Sequence, residues 1–350
     1  MAKTFRIGAH LIGKGQPVYI VAELSANHHQ RFDEAVKLVK SATEAGADAV
    51  KLQTYTPDTL TIRSDGPEFQ ITGGTLWDGK TLYDLYSEAY MPWEWQPNLK
   101  ELANELGIDL FSTPYDKTAV DFLEGMSVSA FKVASCEIVD IPLIEYIARK
   151  GKPIIISTGT ATLGEIDEAM QAARMAGASE IALLKCTSVY PAPPEEMNLR
   201  AIPHLAQAFG VPVGLSDHTL GIAVPVAAVA LGACIIEKHF TLSRNIPSPD
   251  SVFSSEPQEF KAMVEAIRTV EKALGEVRYE GGEKEVKSRV FHRSLFAVKE
   301  IRAGEAFTEE NVRSIRPAYG LHPRHLKDVL SRRAAKHIKM GTPLSWELIS

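Results

Sequence analysis

From residue 18 to about 275, short apolar runs rich in Val and Ile alternate with amphipathic stretches of helical length, and most of the runs end on polar side chains. A strand buried on both faces, as in a parallel sheet, needs near-continuous apolarity, and the stretches between supply crossover helices. The pattern predicts eight strands, at 18–23, 49–53, 108–113, 130–134, 153–157, 180–186, 211–216 and 234–239. Helices are predicted near 32–45, 93–106, 116–125, 141–150, 163–176, 198–209, 221–232 and 257–274. Eight βα units over about 260 residues suit a closed (β/α)8 TIM barrel. An open doubly wound sheet is the alternative, but no Gly-rich dinucleotide fingerprint succeeds the first strand.

Two stretches interrupt the alternation. The insert from 54 to 91 carries Gly73-Gly74 and several aromatics after the second strand, on the face where barrel enzymes place functional loops. A lid and a surface elaboration are equally open readings of it. Residues 276–290, charged and containing Gly281-Gly282, read as a connection. The C-terminal remainder has short strands, turn signals at Ala303-Gly304 and Met340-Gly341, and one helix near 325–331. The expected domains are therefore a barrel over 1–280, a linker over 281–293 and a compact module over 294–350.

Composition narrows the class. With 45% hydrophobic and 23% charged residues the chain is globular, and three dispersed cysteines, Cys136, Cys186 and Cys234, argue for a reducing compartment rather than a disulfide framework. The N-terminal run lacks the apolar core of a secretory leader, and the apolar stretch 222–236 contains Pro225 and is too short to span a bilayer. The expectation is a cytoplasmic protein with no membrane partner. Residues 284–350 hold 14 Lys and Arg against 7 Asp and Glu although the whole chain carries −6, so a basic module succeeds an acidic barrel. Without a recognition helix or RNA-binding aromatics, no nucleic-acid partner is expected; an acidic protein surface or anionic substrate fits better.

The polar strand ends converge on one mouth of a barrel, where such enzymes carry their chemistry. Lys51 and Lys132, among strand-end hydroxyls such as Ser112, Thr113, Ser135, Ser157 and Ser216, make a seat for a phosphate and a carboxylate. A single strand-end lysine is more often solvated or salt-bridged; repetition over several strands favours the anion seat. His218 and His239 end adjacent strands and could share one metal ion, with Glu23 and Asp250 nearby. A Schiff-base aldolase using Lys132 or Lys51 is the rival chemistry, but it needs neither two phosphate-seat lysines nor a histidine pair.

The strings AELSANH, VKLQTY, FSTPYD, FKVASCE, ISTGTAT, GLSDHT and EKHFT, in order through all eight units, resemble the motif set of the sialic acid synthase family, and RPAYGL resembles its C-terminal antifreeze-like (SAF, β-clip) module. The resemblance implies a (β/α)8 barrel with a small SAF domain, a bound Mn2+ or Mg2+, a domain-swapped homodimer, and condensation of phosphoenolpyruvate with an amino sugar by metal-assisted carbon–carbon bond formation and carbon–oxygen cleavage. Carried over residue by residue, it implies His218 and His239 as metal ligands. It places phosphoenolpyruvate at Lys51, Thr113, Lys132, Ser135, Ser157 and Ser216, with Ser188 standing where neuraminate-forming members commonly have Asn. Glu23 and Glu137 fall near the acceptor as candidate proton carriers, Tyr190 and Asp250 line the site, and Arg316 reaches across the dimer to the partner's sugar.

AELSANH, TPYDKTAVDFLE and SPDSVFSSEP resemble the branch whose acceptor is 2,4-diacetamido-2,4,6-trideoxy-L-altrose, Ser251, Val252 and Phe253 replacing a His-Lys-Ala run of the neuraminate branch. An apolar loop suits a deoxygenated sugar, because a hydroxyl-binding site left without its hydroxyl is penalised by unpaired polar groups. Neuraminate or legionaminate synthesis, a sugar-phosphate synthase and a non-catalytic carbohydrate-binding protein are the alternatives.

Overall fold

The computed structural model describes residues 4–350. It divides into two compact units, Met1–Gly275 and Glu276–Ser350. In the first, an antiparallel pair, β1 (Phe5–Ile7) and β2 (His10–Ile12), precedes eight parallel strands: β3 (Tyr19–Glu23), β4 (Ala49–Thr54), β5 (Asp109–Pro114), β6 (Phe131–Val133), β7 (Ile154–Ser157), β8 (Ile181–Cys186), β9 (Val213–Asp217) and β10 (Ile235–His239). They close in chain order, β10 pairing with both β9 and β3. This is the (β/α)8 TIM barrel that the pattern of apolar runs predicts.

Nearly every strand residue is buried, because one face packs inside the barrel and the other against the helices. Local signals set the helix starts. Asp116 accepts hydrogen bonds from the backbone N–H groups of Thr118 and Ala119 at the helix Lys117–Gly125, and Thr162 and Glu165 form a reciprocal capping box at Leu163–Met175. The last barrel helix, Pro257–Leu274, lays Phe260, Met263, Val264 and Ile267 against the core.

The helix predicted from 93 begins as a single 3-10 turn, Trp93–Trp95, and becomes α-helical at Gln96–Leu106 where Pro97 occupies its first turn. The insert is ordered rather than featureless: it holds short helices at Pro57–Leu60 and Leu82–Ala89, with a bridge between Gln70 and Thr81.

In the second unit, β11 (Ser294–Ala297) pairs antiparallel with β12 (Val312–Ile315), over a small core of Leu295, Ile301, Phe307, Val312, Ile338 and Leu344. The predicted helix is Leu326–Leu330. The stretch 281–293, read as linker from its glycines and charge, is helical over Glu283–Ser288 and turns again at Arg289–Phe291. Arg316 is exposed just beyond β12. Its loop is drawn back onto β11 by the Ser294 hydroxyl, which donates to Pro317 O at 2.6 Å and accepts from Gly320 N at 2.9 Å. A Cβ at Gly320 would stand 2.3 Å from Leu295 O, so the RPAYGL turn requires glycine there. Among the described residues, no helix is long and apolar enough to cross a membrane.

Candidate active site

The C-terminal strand ends surround a cavity of about 420 Å3, within the range usual for small-molecule sites. Strand register builds its floor: His239 lies beside Glu23, and Glu23 beside Lys51. Lys51 Nζ donates to Glu237 Oε1 at 2.9 Å and lies 3.1 Å from Glu23 Oε2, without the angle of a hydrogen bond to the latter. Ser216 also donates to Glu237, at 3.1 Å. Lys132 Nζ donates to Ser157 Oγ at 2.6 Å and to Val133 O at 3.1 Å. All of these side chains are buried.

The two lysines are therefore not equivalent. Lys51 is compensated by two carboxylates; burial works against its charge, but Glu23 and Glu237 hold its pKa above the ordinary lysine value. Lys132 has no carboxylate within ion-pair distance, and burial draws it down to about 8. Two carboxylates sharing one lysine separate in turn. Burial raises Glu23, whereas Glu237, facing Lys132 and Lys51, is held below the ordinary range despite its burial. Glu237 belongs to the site, although it is not among the residues singled out from the sequence. The available signal was its position in EKHFT, two residues before His239.

Beside Lys132 a small cradle opens. Gly159 N donates to Ser135 Oγ at 3.1 Å, and a Cβ on Gly159 would stand 2.6 Å from that oxygen and 2.2 Å from Ser188 Oγ. Gly159→Ala should therefore raise KM for an anionic substrate seated beside Lys132 at least about tenfold and destabilise the fold by about 1–3 kcal/mol through overpacking. Steady-state kinetics beside thermal melts check this, and an unchanged KM would remove the cradle from the anion seat. Thr113 is buried at the end of β5 with its hydroxyl unpartnered, but it does not line the cavity. Nor does Glu137: the 3-10 turn Cys136–Val139 presents Cys136 instead, and burial pushes the Glu137 carboxyl up to about 7.

His218 and His239 come together with ring centroids 5.2 Å apart. His218 Nδ1 lies 3.0 Å from Thr187 O, so that nitrogen carries the proton and Nε2 keeps its lone pair. His239 is buried and held neutral by desolvation, with its Nδ1 unpartnered and Asp250 3.9 Å away. In their neutral forms the two imidazoles offer unused lone pairs that fit a divalent ion; burial works against a charge on His218, but the neighbouring Cys186 raises its pKa, so an ion binding there would displace a proton. Among the described residues, no group of three or more His, Cys, Asp or Glu surrounds such a position, so water or substrate oxygens would complete the coordination.

The first-strand loop organises the last. Asn27 donates to Phe240 O at 2.9 Å and to Ser254 Oγ at 2.8 Å and accepts from Ser248 Oγ at 2.6 Å, while Ser25 hydrogen-bonds Asp250. That fixes Asp250 and Phe253 at the rim. Tyr190 packs between His218, at 4.3 Å, and Phe253, at 5.1 Å. The insert supplies the remaining wall, Ile71, Trp77, Leu82, Leu85 and Tyr86, which decides its open reading in favour of the cavity.

A closed βα barrel with lysine, glutamate and histidine side chains converging at its C-terminal mouth defines an enzyme of the barrel class. Residues 38–279 match the NeuB family model and residues 292–350 the SAF domain model; the chain belongs to the NeuB family. It is similar to a pseudaminic acid synthase of Campylobacter jejuni, 49% identical over 327 residues that cover 93% of this chain and 95% of the relative. A pseudaminic acid synthase of Helicobacter pylori is 47% identical, covering 94% and 97%. The crystal structure of an N-acetylneuraminic acid synthetase from Leptospira borgpetersenii, in complex with citrate, superposes with a TM-score of 0.74 at 32% identity, covering 82% and 95%.

Proposed function

We propose that the protein is a pseudaminic acid synthase, joining phosphoenolpyruvate to 2,4-diacetamido-2,4,6-trideoxy-L-altrose and water to give pseudaminic acid and phosphate. The carrying observation is the make-up of the cavity: a charged floor of Lys51, Lys132, Glu23 and Glu237 at the strand ends and a largely apolar wall of Ile71, Trp77, Leu82 and Leu85 from the insert. The floor suits a small polyanion and the wall a deoxygenated, acetylated sugar. Similarity to pseudaminic acid synthases supports the same reading.

In this reading Lys132, Ser157 and the Ser135–Gly159–Ser188 cradle hold phosphoenolpyruvate, with Lys51 and Ser216 at the opposite side of the floor and Thr113 behind them. His218 and His239 would hold Mn2+ or Mg2+, which when bound supplies Lewis-acid polarisation of the acceptor aldehyde. The methylene carbon of phosphoenolpyruvate attacks the aldehyde carbon; Glu23, its carboxyl raised by burial and oriented by Gln53 Nε2 at 3.0 Å, delivers a proton to the aldehyde oxygen. Water adds at the former enol carbon, and the carbon–oxygen bond to phosphate then breaks. Tyr190 and Asp250 bound the acceptor, and Glu137 lies outside the cavity lining. The basic second unit would offer Arg316 to the acceptor site of a partner subunit in a domain-swapped homodimer, and a cytoplasmic location accords with the free cysteines.

Phosphate release with Mn2+ tests the assignment, comparing the altrose acceptor with N-acetylmannosamine and the legionaminate precursor. A strong preference for the altrose is expected; preference for N-acetylmannosamine would move the enzyme to the neuraminate branch, and no release with any sugar would sink catalysis altogether.

The ionisation of Lys132 gives a pH test. Its charge binds phosphoenolpyruvate, and the free enzyme loses that proton at about 8. Hence the dissociation constant of phosphoenolpyruvate, measured by calorimetry so that the proton on Glu23 does not enter, should rise up to about tenfold per pH unit above that value. Lys132→Arg should move the break above the measurable range. A profile flat to pH 10 would mean that Lys132 charge is not needed.

A further inference from the structure

The insert between β4 and the helix Gln96–Leu106 brings Tyr55, Trp77 and Tyr86 to the cavity, and the surroundings of Trp77 give it a specific character. Trp77 packs on Tyr190 with ring centroids 5.6 Å apart and lines the cavity beside Ile71, Leu82 and Leu85. An indole has a single polar atom, a donor. Trp77 commits it to Pro249 O at 2.9 Å, in the loop next to Asp250. No hydrogen-bonding group of this side chain is left for a ligand.

The loop that carries Trp77 is locally fixed. The Asp78 carboxylate accepts from the backbone N–H groups of Gly73, Gly74 and Thr75 at 3.2, 2.8 and 2.8 Å and from Thr75 Oγ1 at 2.6 Å. Two further backbone bonds close the turn, Ile71 N to Lys80 O at 2.9 Å and Gly79 N to Ile71 O at 3.1 Å. These bonds hold the indole in place, and the one to Pro249 ties it to the opposite rim.

We propose that Trp77 is a specificity-determining residue for the acceptor sugar, packing on the part of it that lacks hydroxyls. This rests on the pseudaminic acid synthase reading. The altrose acceptor and N-acetylmannosamine are both 2-acetamido aldoses; they differ in configuration at C2, C4 and C5, and one carries an acetamido group at C4 and a methyl at C6 where the other carries hydroxyls. Against the indole face and the side chains of Ile71, Leu82 and Leu85, none of which offers a donor or acceptor, each hydroxyl gives up water without a replacement, whereas a methyl or acetamido methyl gains by leaving water. The indole is tied to Tyr190 and Pro249, whereas Lys51 and Lys132 are tied to Glu237 and Ser157, so the anion seat does not depend on the indole.

The test is steady-state kinetics on the full chain loaded with Mn2+. Trp77→Ala should raise KM for the altrose acceptor about tenfold or more. KM for phosphoenolpyruvate and the inhibition constant of N-acetylmannosamine as a competitor should both change less than twofold. Trp77→Phe keeps the ring face without the Pro249 bond and should restore most of the altrose affinity. If Trp77→Ala does not fold, Leu82→Asn, which puts a polar group in the same wall, should narrow the difference between the two sugars. Equal weakening of both sugars, an unchanged altrose KM, or a raised phosphoenolpyruvate KM would overturn the proposal. Wild-type enzyme that ignores the altrose acceptor would instead overturn the reading on which it rests.

Discussion

Lys51→Met is expected to destabilise the barrel by about 3–5 kcal/mol, lowering the melting temperature on the order of 10 °C, and to reduce phosphate release below detection. The ammonium group lies between two buried carboxylates, Glu237 at 2.9 Å and Glu23 at 3.1 Å, whose strands flank or carry the same floor. Deleting the cation leaves those carboxylates facing one another in a site that excludes water, where only Lys132 remains to offset them. The protein would respond by binding protons. In the variant the folded-state carboxyl pKa rises above its unfolded value, so the unfolded chain releases more protons as pH increases. The loss relative to wild type should therefore be smallest near pH 4–5 and grow toward neutrality.

The double variant Lys51→Met/Glu237→Gln separates stability from chemistry. Removing one carboxylate along with the lysine lets Glu23 stay protonated, and much of the lost stability should return, while activity should not, because the anion seat still lacks one of its two lysines. Thermal melts across pH 5–8 on wild type, both single variants and the double provide the cycle. A pH-independent loss in Lys51→Met, or activity in the double variant, would show that the lysine is not the electrostatic centre of the floor.

This centre also marks where sequence reading reaches its limit. The strands were legible because burial on both faces leaves apolar runs such as Ile154–Ile156 that no surface element would keep, and because polar residues end them. Burial order along one strand is local information. The pairing of Lys51 with Glu237 spans 186 residues and depends on β4 and β10 both flanking β3. From the sequence both lysines looked available to anions; only the closed barrel shows that one is neutralised and the other is not.

The insert and Glu137 escape the sequence for a related reason. Nothing periodic in residues 54–91 announces that Trp77 meets Tyr190 across the mouth, since that contact joins loops after β4 and β8. Glu137 and Cys136 are neighbours in FKVASCE, and which of them faces the cavity is settled by where one 3-10 turn begins. Strand ends project predictably, whereas the residues just beyond them do not. His218, one residue past β9, is placed by its hydrogen bond to Thr187 O rather than by strand alternation.

His239→Ala and His218→Ala should each lower kcat by at least about 1,000-fold, with melting temperatures within a few degrees of wild type. The small structural cost has a different origin in each. His239 Nδ1 is buried without a partner, so its removal strands no protein group, and its neutral state is already enforced by desolvation. His218 gives up one bond to Thr187 O and its packing on Tyr190 at 4.3 Å, so it should be the more destabilising of the two. With only two imidazoles supplied by the protein, affinity for the ion should be modest, and a chelator should strip it readily. Phosphate release should stop on chelation and return with Mn2+ or Mg2+ in the wild type but in neither variant. Calorimetric titration of Mn2+ into chelator-treated protein gives a readout independent of turnover: one site in the wild type, none in either single variant. Full turnover by His239→Ala after chelation would remove the ion from this histidine pair.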